Sequence, residues 1–343
     1  MTQTKQQEIH LVNRPTGTPA IEDFKFVECD VPSPKENEVL VRALYISVDP
    51  YMRGRMNDTK SYIPPFELNK AIVGGVIAEV AVSRSESFKR GDLVLGNLNW
   101  AEYSVAKETK LRKIDPNLAP LTAYLSVLGM TGLTAYFGLL DIGKPQEGET
   151  VVVSGAAGAV GSAVGQIAKL KGAKVVGIAG TDEKLAYIKN ELGFDETVNY
   201  KSENFKEELK AATPDGVDVY FDNVGGDVSD AVMRLLNNHA RIPVCGSISS
   251  YNAEGQDVGP RVQPTLIKTS SLMKGFTVGN YASEFEQGRN DLANWLQEGK
   301  LKYKETIVEG FEKTPEAFLG LFKGINTGKL LVKAAEPEYS KNR

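Results

Sequence analysis

The stretch Val151-Val152-Val153-Ser154-Gly155-Ala156-Ala157-Gly158-Ala159-Val160-Gly161, continuing into Ser162-Ala163-Val164-Gly165-Gln166-Ile167-Ala168-Lys169, decides the fold. Three valines read as a strand, the glycines as a tight turn and the remainder as a helix. Such a unit makes an anion site, because a glycine turn lets the backbone come close while the N–H groups and positive dipole end of the helix face the ligand. Gly155 is expected to bend the chain, Gly158 to permit close approach, and Gly161 to let the helix pack on the strand. The spacing is G-x-x-G-x-x-G and not G-x-G-x-x-G, so context has to carry the reading. A second apolar strand, Lys174 to Ala179, supplies it by completing the βαβ unit that a dinucleotide site requires. The alternative is a strand-to-helix turn in which small residues serve packing alone.

The choice of dinucleotide falls about 20 residues past the motif, where an NAD site places an Asp or Glu on the ribose 2′-hydroxyl. Gly180-Thr181 occupies that place, so no carboxylate ends the strand. Lys184 follows, where its ammonium could meet a 2′-phosphate. The same segment, Thr181-Asp182-Glu183-Lys184, also reads as a capped helix start with Thr181 as N-cap and acids in the first turn. Both readings can hold at once.

Working outward, residues 8 to about 114 show short β runs between turns: Glu8–Asn13, Phe24–Val31, Val39–Val48, Ile72–Val82, Asp92–Leu95 and Glu102–Val105. These predict an antiparallel barrel or sandwich. Between Pro120 and Leu140 the apolar period lengthens toward helix, with Leu121, Leu125 and Leu128, then Leu133, Phe137 and Leu140 at core spacing. From residue 149 to about 299 strands alternate with helices: Thr150–Ser154, Lys174–Ile178, Glu196–Asn199, Val217–Phe221, Ala240–Cys245 and Gly275–Val278. That alternation predicts an α/β doubly wound parallel sheet. After a helix at Phe285–Gln297 the chain offers Thr306–Val308, a helix near Pro315–Lys323 and a strand Leu330–Val332, which are assigned back to the first domain.

Composition narrows the function. With 343 residues, 41% of them apolar, two domains are expected. A net charge of −4 disfavours nucleic-acid and anionic-membrane partners, so small molecules are expected instead. The polar start, Met1-Thr2-Gln3-Thr4-Lys5-Gln6-Gln7-Glu8, lacks the apolar core of a signal peptide. No run approaches the ~20 apolar residues needed to cross a bilayer. Two cysteines, Cys29 and Cys245, make no disulfide framework, and a cytoplasmic protein is expected. His10 and His239 stand far apart, and no zinc-ligand spacing occurs. Cys245, ending a predicted strand, reads as a small core hydrophobe. Gly138-Leu139-Leu140-Asp141-Ile142-Gly143-Lys144 mimics a P-loop, but Pro145 takes the place of the Mg²⁺-binding hydroxyl and a helical pattern precedes it.

With its β-rich first part and the turn Gly155-Ala156-Ala157-Gly158-Ala159-Val160-Gly161, the chain resembles the medium-chain dehydrogenase/reductase superfamily. Within it, Ser47-Val48-Asp49-Pro50-Tyr51-Met52-Arg53-Gly54-Arg55-Met56, Phe221-Asp222-Asn223-Val224-Gly225-Gly226, Cys245-Gly246-Ser247-Ile248-Ser249-Ser250-Tyr251-Asn252 and Gly324-Ile325-Asn326-Thr327-Gly328-Lys329 are similar to one branch. It is the zinc-independent branch of prostaglandin reductases, leukotriene dehydrogenases, plant double-bond reductases and bacterial curcumin reductase. Where zinc members of the superfamily carry Gly-His-Glu, this chain has Val73-Gly74-Gly75-Val76. The resemblance implies a GroES-like barrel domain over residues 1–130, completed by 301–343, and a Rossmann NADP-binding domain over 131–300. It also implies a homodimer formed through the last sheet strand, expected at Gly275 to Asn280 on the sheet edge.

The cofactor implied is NADP(H), with Ala157, Gly158, Ala159 and Val160 at the pyrophosphate, Lys184 and Tyr200 at the 2′-phosphate and Asn223 at the ribose. Cys245, Gly246, Ser247, Ile248, Ser249, Ser250 and Tyr251 are implied along the nicotinamide half, with Phe276, Thr277, Val278, Gly279, Asn280, Tyr281 and Asn326. The activity implied is reduction of the carbon–carbon double bond of α,β-unsaturated aldehydes or ketones. Hydride adds at the β-carbon, and charge moving to the carbonyl oxygen is met by phenols, which stay protonated near neutral pH. Tyr251, Tyr62 and Tyr51 are the catalytic candidates, while Arg53 and Arg55 read either as solvated or paired charges or as attractors of a substrate carboxylate. An NADPH:quinone reductase and a non-catalytic NADPH sensor are the rival expectations.

Overall fold

A computed structural model describes residues Thr4 to Tyr339, so the first three residues of the polar N-terminal stretch and the last four of the chain lie outside the described residues. Two compact units emerge. One comprises residues up to Leu125, Thr306–Asn326 and Leu330 onward; the other comprises Ser126–Glu305 with Thr327–Lys329.

The first unit is built from β1 (Lys5–Leu11), β2 (Phe24–Asp30), β3 (Glu38–Ser47), β4 (Lys70–Ala71), β5 (Val73–Ser83), β6 (Leu93–Asn99), β7 (Tyr103–Lys107) and β8 (Leu111–Lys113). A short helix, α1 (Met52–Arg55), follows β3. β2, β1 and β4 form one small sheet. The main sheet pairs β3 antiparallel with both β5 and β7, and β5 with β6. Alternating apolar residues of these strands close over a core in which Phe24, Trp100 and Phe318 meet with ring centroids 6.2–6.4 Å apart.

The second unit carries β9 (Thr150–Ser154), β10 (Lys174–Ala179), β11 (Glu196–Asn199), β12 (Val217–Phe221), β13 (Leu236–Val244) and β14 (Leu272–Gly275). They form a parallel sheet in the order β11-β10-β9-β12-β13-β14, the doubly wound order expected of a Rossmann domain. Every residue of β9 is buried, as a central parallel strand covered on both faces requires. Its helices are α2 (Met130–Phe137), α3 (Ala159–Leu170), α4 (Asp182–Ala186), α5 (Phe205–Ala212), α6 (Gly226–Met233), α7 (Gln263–Thr269) and α8 (Phe285–Gln297). The chain then returns through β15 (Glu305–Glu309) and α9 (Thr314–Leu321) to β16 (Lys329–Lys333), which pairs with β3 in the first unit's sheet.

Local readings shift in five places. The run Ile72–Val82 is one strand, β5, that starts at Val73: Ile72 lies between β4 and β5, its N–H donating to the Ile9 carbonyl and its carbonyl accepting from Trp100. β8 was not anticipated. Helix between Pro120 and Leu140 is broken: a 3-10 turn spans Leu121–Leu125, α2 begins only at Met130, and π-helical turns carry it to Gly143. β13 begins four residues earlier than Ala240 and ends at Val244, leaving Cys245 just beyond the sheet. The last strand covers Leu272–Gly275 and not Gly275–Val278, since Asn280 accepts the Thr277 N–H through its side chain at 2.9 Å and starts a 3-10 turn over Val278–Glu284. Phe276 to Asn280 therefore lies past the strand, although β14 does form the sheet edge.

Candidate functional site

β9 and β12 are neighbours whose crossovers leave in opposite directions, so their carboxyl ends open the crevice in which such sheets bind ligands. At the end of β9, Gly155 takes a φ of +60°, the left-handed bend that the turn needs. A Cβ on Gly161 would run into the Gly155 carbonyl and lie 2.8 Å from the Ala156 Cα, so the helix packs closely there on the turn rather than on the strand itself. A Cβ on Gly158 would meet only the Gly155 carbonyl, at 3.2 Å, leaving its outer side open. The first N–H groups of a helix have no acceptor within it. In α3 these belong to Ala159, Val160 and Gly161, the Ser162 N–H being the first satisfied, by Gly158 at 3.0 Å. No acid stands in this first turn. Behind the turn, Gly328 donates its N–H to the Ala157 carbonyl at 2.7 Å and pins Thr327–Lys329 alongside.

At the end of β10, Thr181 caps α4 as expected, its hydroxyl accepting the Lys184 N–H at 3.3 Å. Lys184 and Tyr200 come together here with a residue the sequence reading missed. The Tyr200 ring covers Gly180, where a Cβ would lie 2.6 Å from its edge. Burial first, and then the like charge of Lys201, hold the Lys184 ammonium below the usual lysine range, while Glu183 opposes them. Lys201 itself lies 5.9 Å from the Tyr200 ring centroid. Two ammonium groups kept near each other beside an aromatic face suit a phosphate, and the position of Lys201 directly after Tyr200 was its only signal in the sequence.

At the end of β12 the missed residue is Asp222. Its buried carboxylate accepts from the Tyr220 hydroxyl (2.9 Å), the Ser154 hydroxyl (3.2 Å) and the Val224 and Gly225 N–H groups (3.0 and 2.9 Å). Its main-chain carbonyl accepts from Cys245 and Gly246. Asp222 thus joins β9, β12 and the 245–251 loop, satisfying a buried charge as burial demands. Asn223 is clipped to the end of β9, its amide donating to the Ser154 carbonyl at 2.7 Å. In the loop, Ser247 donates its N–H to the Tyr251 phenol at 3.4 Å, so the ring folds back over Gly246. Burial, then the nearby Asp222 charge, push the Cys245 thiol up to about 12, which keeps it neutral and fits its reading as a small hydrophobe.

In the 276–281 segment two aromatic side chains are taken up by packing. The Phe276 ring fills the niche over Gly138 and meets Phe221 at 6.3 Å, while Tyr281 stacks on Phe137 at 4.7 Å and donates to Asp141 at 2.7 Å. Asn326 belongs to the first unit, next to the pinned Thr327.

Tyr51, Tyr62, Arg53 and Arg55 also lie in the first unit. Tyr62 is 70% exposed. Burial above all, and then the Asp49 charge, raise the Tyr51 phenol well above its usual value, so it is a neutral donor at any physiological pH. Neither arginine is a solvated charge. Arg53 is buried and donates to the Pro15 and Gly17 carbonyls and, at 2.6 Å, to Asn57. Arg55 lies 4.0 Å over the Phe66 ring and donates to Pro64 at 2.9 Å. Among the described residues no group of three or more His, Cys, Asp or Glu side chains could hold a metal ion, and no helix is long and apolar enough to cross a membrane.

A dinucleotide phosphate fits this chemistry: an open glycine turn, an acid-free helix start and a paired lysine site beyond it. Comparison with known proteins agrees. Residues 7–114 match the N-terminal domain of oxidoreductase family and residues 159–295 the zinc-binding dehydrogenase family. YfmJ of Bacillus subtilis (strain 168), named as an NADP-dependent oxidoreductase, is 66% identical over 97% of this chain and 98% of its own. The NADPH-dependent curcumin reductase of Escherichia coli (strain K12) is 44% identical over 98% and 99%. The crystal structure of CurA from Vibrio vulnificus in complex with NADPH superposes with a TM-score of 0.93 at 43% identity, over 96% of this chain and all of that one. The chain belongs to the medium-chain dehydrogenase/reductase superfamily, in its zinc-independent branch, and is an NADP-dependent oxidoreductase.

Proposed function

We propose that the chain reduces the carbon–carbon double bond of α,β-unsaturated aldehydes and ketones. NADPH, when bound, would supply the hydride that adds to the β-carbon, and solvent water the proton that completes the α-carbon. Ala157 to Val160 would hold its pyrophosphate, Lys184, Lys201 and Tyr200 its 2′-phosphate, and Asn223, the 245–251 loop, the 276–281 segment and Asn326 its nicotinamide half. The observation that carries the reading is the loop after β13, where the Tyr251 phenol folds back over Gly246, whose N–H is tied to the Asp222 carbonyl, with the partly buried Tyr51 phenol as a second donor. A protonated phenol stabilises a developing enolate oxygen by hydrogen bonding without bringing charge into the site. Tyr251 is the first candidate for this role, followed by Tyr51 and Tyr62. The name of the Escherichia coli relative supports the reading, since curcumin is a conjugated ketone.

The test is NADPH oxidation with cinnamaldehyde, chalcone and a benzoquinone, with products identified by mass spectrometry. Saturated carbonyl products are expected. Turnover of the quinone alone would replace the reading with quinone reduction, and tight NADPH binding without turnover would make the chain a sensor. We further propose that two copies pair through the outer side of β14, supported by its place at the sheet edge and by its half-exposed Leu272.

A further inference from the structure

Gly138 to Gly143, most of the stretch that mimics a P-loop, folds as π-helical turns continuing α2. Such turns often mark functional sites. Here they form a platform for residues 276–281. The Phe276 ring occupies the place a Cβ on Gly138 would take, so only glycine admits it. At the other end of the segment the buried Tyr281 ring stacks on Phe137 with the ring planes 5° apart, and its hydroxyl donates to Asp141 Oδ2 at 2.7 Å. Burial first, and then the hydrogen bond to Asp141 and its charge, raise this phenol above its usual value, so it stays protonated and donates at any physiological pH. Lys274 on β14 lies 3.7 Å from the same carboxylate oxygen.

Between these two fixed ends the chain closes on itself. Thr277 donates its N–H to the Asn280 side chain at 2.9 Å, and its carbonyl accepts the Asn280 N–H at 3.0 Å. The Phe276 N–H donates to the Val244 carbonyl, so the segment starts at the carboxyl ends of β13 and β14, where open α/β sheets bind their ligands. Gly279 and Asn280 are exposed, and a Cβ on Gly279 would meet only the Thr277 hydroxyl, at 3.9 Å. We propose that Asp141 is a positioning residue for the nicotinamide half of the cofactor: by accepting from Tyr281 it fixes the second end of the 276–281 segment, and with it the path of the Thr277–Asn280 backbone along the nicotinamide. Phe276 packing holds one end and the Asp141 bond the other. This rests on the reading of that segment as part of the nicotinamide site.

The test is a double-mutant cycle on the full chain: Asp141→Ala, Tyr281→Phe, and the two together, each with Kd for NADPH and for NADH and a melting curve. Binding is measured without turnover, so the outcome does not depend on the substrate. Tyr281→Phe keeps the ring stack and removes only the donor. Each single variant is expected to weaken NADPH and NADH by the same factor, about three- to tenfold, below the full value of a bond to a charged group because Asp141 is half-exposed. The double variant should bind no worse than either single one. Asp141→Asn keeps a carbonyl oxygen for the phenol and should recover most of the affinity; with Tyr281→Phe it carries the test if Asp141→Ala does not fold. Gly279→Val, which puts a side chain in the cofactor's path, tests the underlying reading and should weaken both cofactors roughly tenfold or more. Parental affinities in Tyr281→Phe beside a weakened Gly279→Val, a loss confined to NADPH, or losses that multiply in the double variant would overturn the inference and leave Asp141 a strut of the fold. Parental affinities in Gly279→Val would instead remove the segment from the cofactor site, and the inference with it.

Discussion

Preference for NADPH over NADH should lie in Lys184 and Lys201, and the two lysines should contribute unequally. Lys184 is the more enclosed, since burial is the first cause of its lowered pKa, and it stands at the first turn of α4. A charge-assisted hydrogen bond is worth about 1.5–3 kcal/mol. At ~1.4 kcal/mol per decade, Lys184→Gln should weaken NADPH binding roughly 10- to 100-fold. Lys201, on the more open side of Tyr200, resembles an exposed ion pair of up to about 1 kcal/mol, so Lys201→Gln should cost NADPH about two- to fivefold. NADH carries no 2′-phosphate, and its affinity should not change in either variant. The pH dependence has a definite sign. A lysine whose pKa is lowered loses its charge at a lower pH than an ordinary lysine. NADPH affinity should therefore fall as pH rises toward the alkaline range while NADH affinity does not. Lys201→Gln removes the like charge and should move that fall to higher pH. Fluorescence titration with both cofactors across pH measures all of this. Equal loss of NADPH and NADH in Lys184→Gln, or no loss of either, would refute the assignment.

Tyr251→Phe should lower kcat about 100-fold, the usual cost of one oxyanion donor, with NADPH affinity retained; unchanged turnover would remove Tyr251 from the chemistry. Gly328→Ala should destabilise the chain by about 2–4 kcal/mol and weaken NADPH binding, because Gly328 has a φ of +69° and a Cβ there would strike the Lys304 carbonyl. A parental urea midpoint would contradict that account. Size-exclusion chromatography with light scattering should show a dimer at micromolar concentration, and a monomer throughout would rule out pairing through β14.

What was legible in the sequence depended on how far apart the cooperating residues are. The run from Val151 to Lys169 carries its own instructions, since strand, bend and helix are set by residues within one turn of each other. The Thr181 cap is likewise local. The last strand was misplaced by three residues because the Thr277–Asn280 turn competes with strand pairing, and propensity alone does not rank the two. Arg53 and Arg55, two residues apart, left the same trace in the sequence. Their fates diverged because one faces the carbonyls of residues 15 and 17 and the other faces the Phe66 ring and the Pro64 and Val73 carbonyls.

Asp222 is the clearest case of the second kind. Its position beside Asn223 was visible, yet its partners, Ser154 on β9 and the N–H groups of residues 245 and 246, are brought to it only by the order of the parallel strands. By itself the sequence determined the dinucleotide unit, the β-rich partner domain and the absence of an acid at the 2′-phosphate position, all of which follow from short-range periodicity and turn chemistry. The tertiary structure alone decided which charges became anchors, which lysines come together beside Tyr200 and which arginine is clamped over Phe66, because these depend on contacts that join residues far apart in the chain.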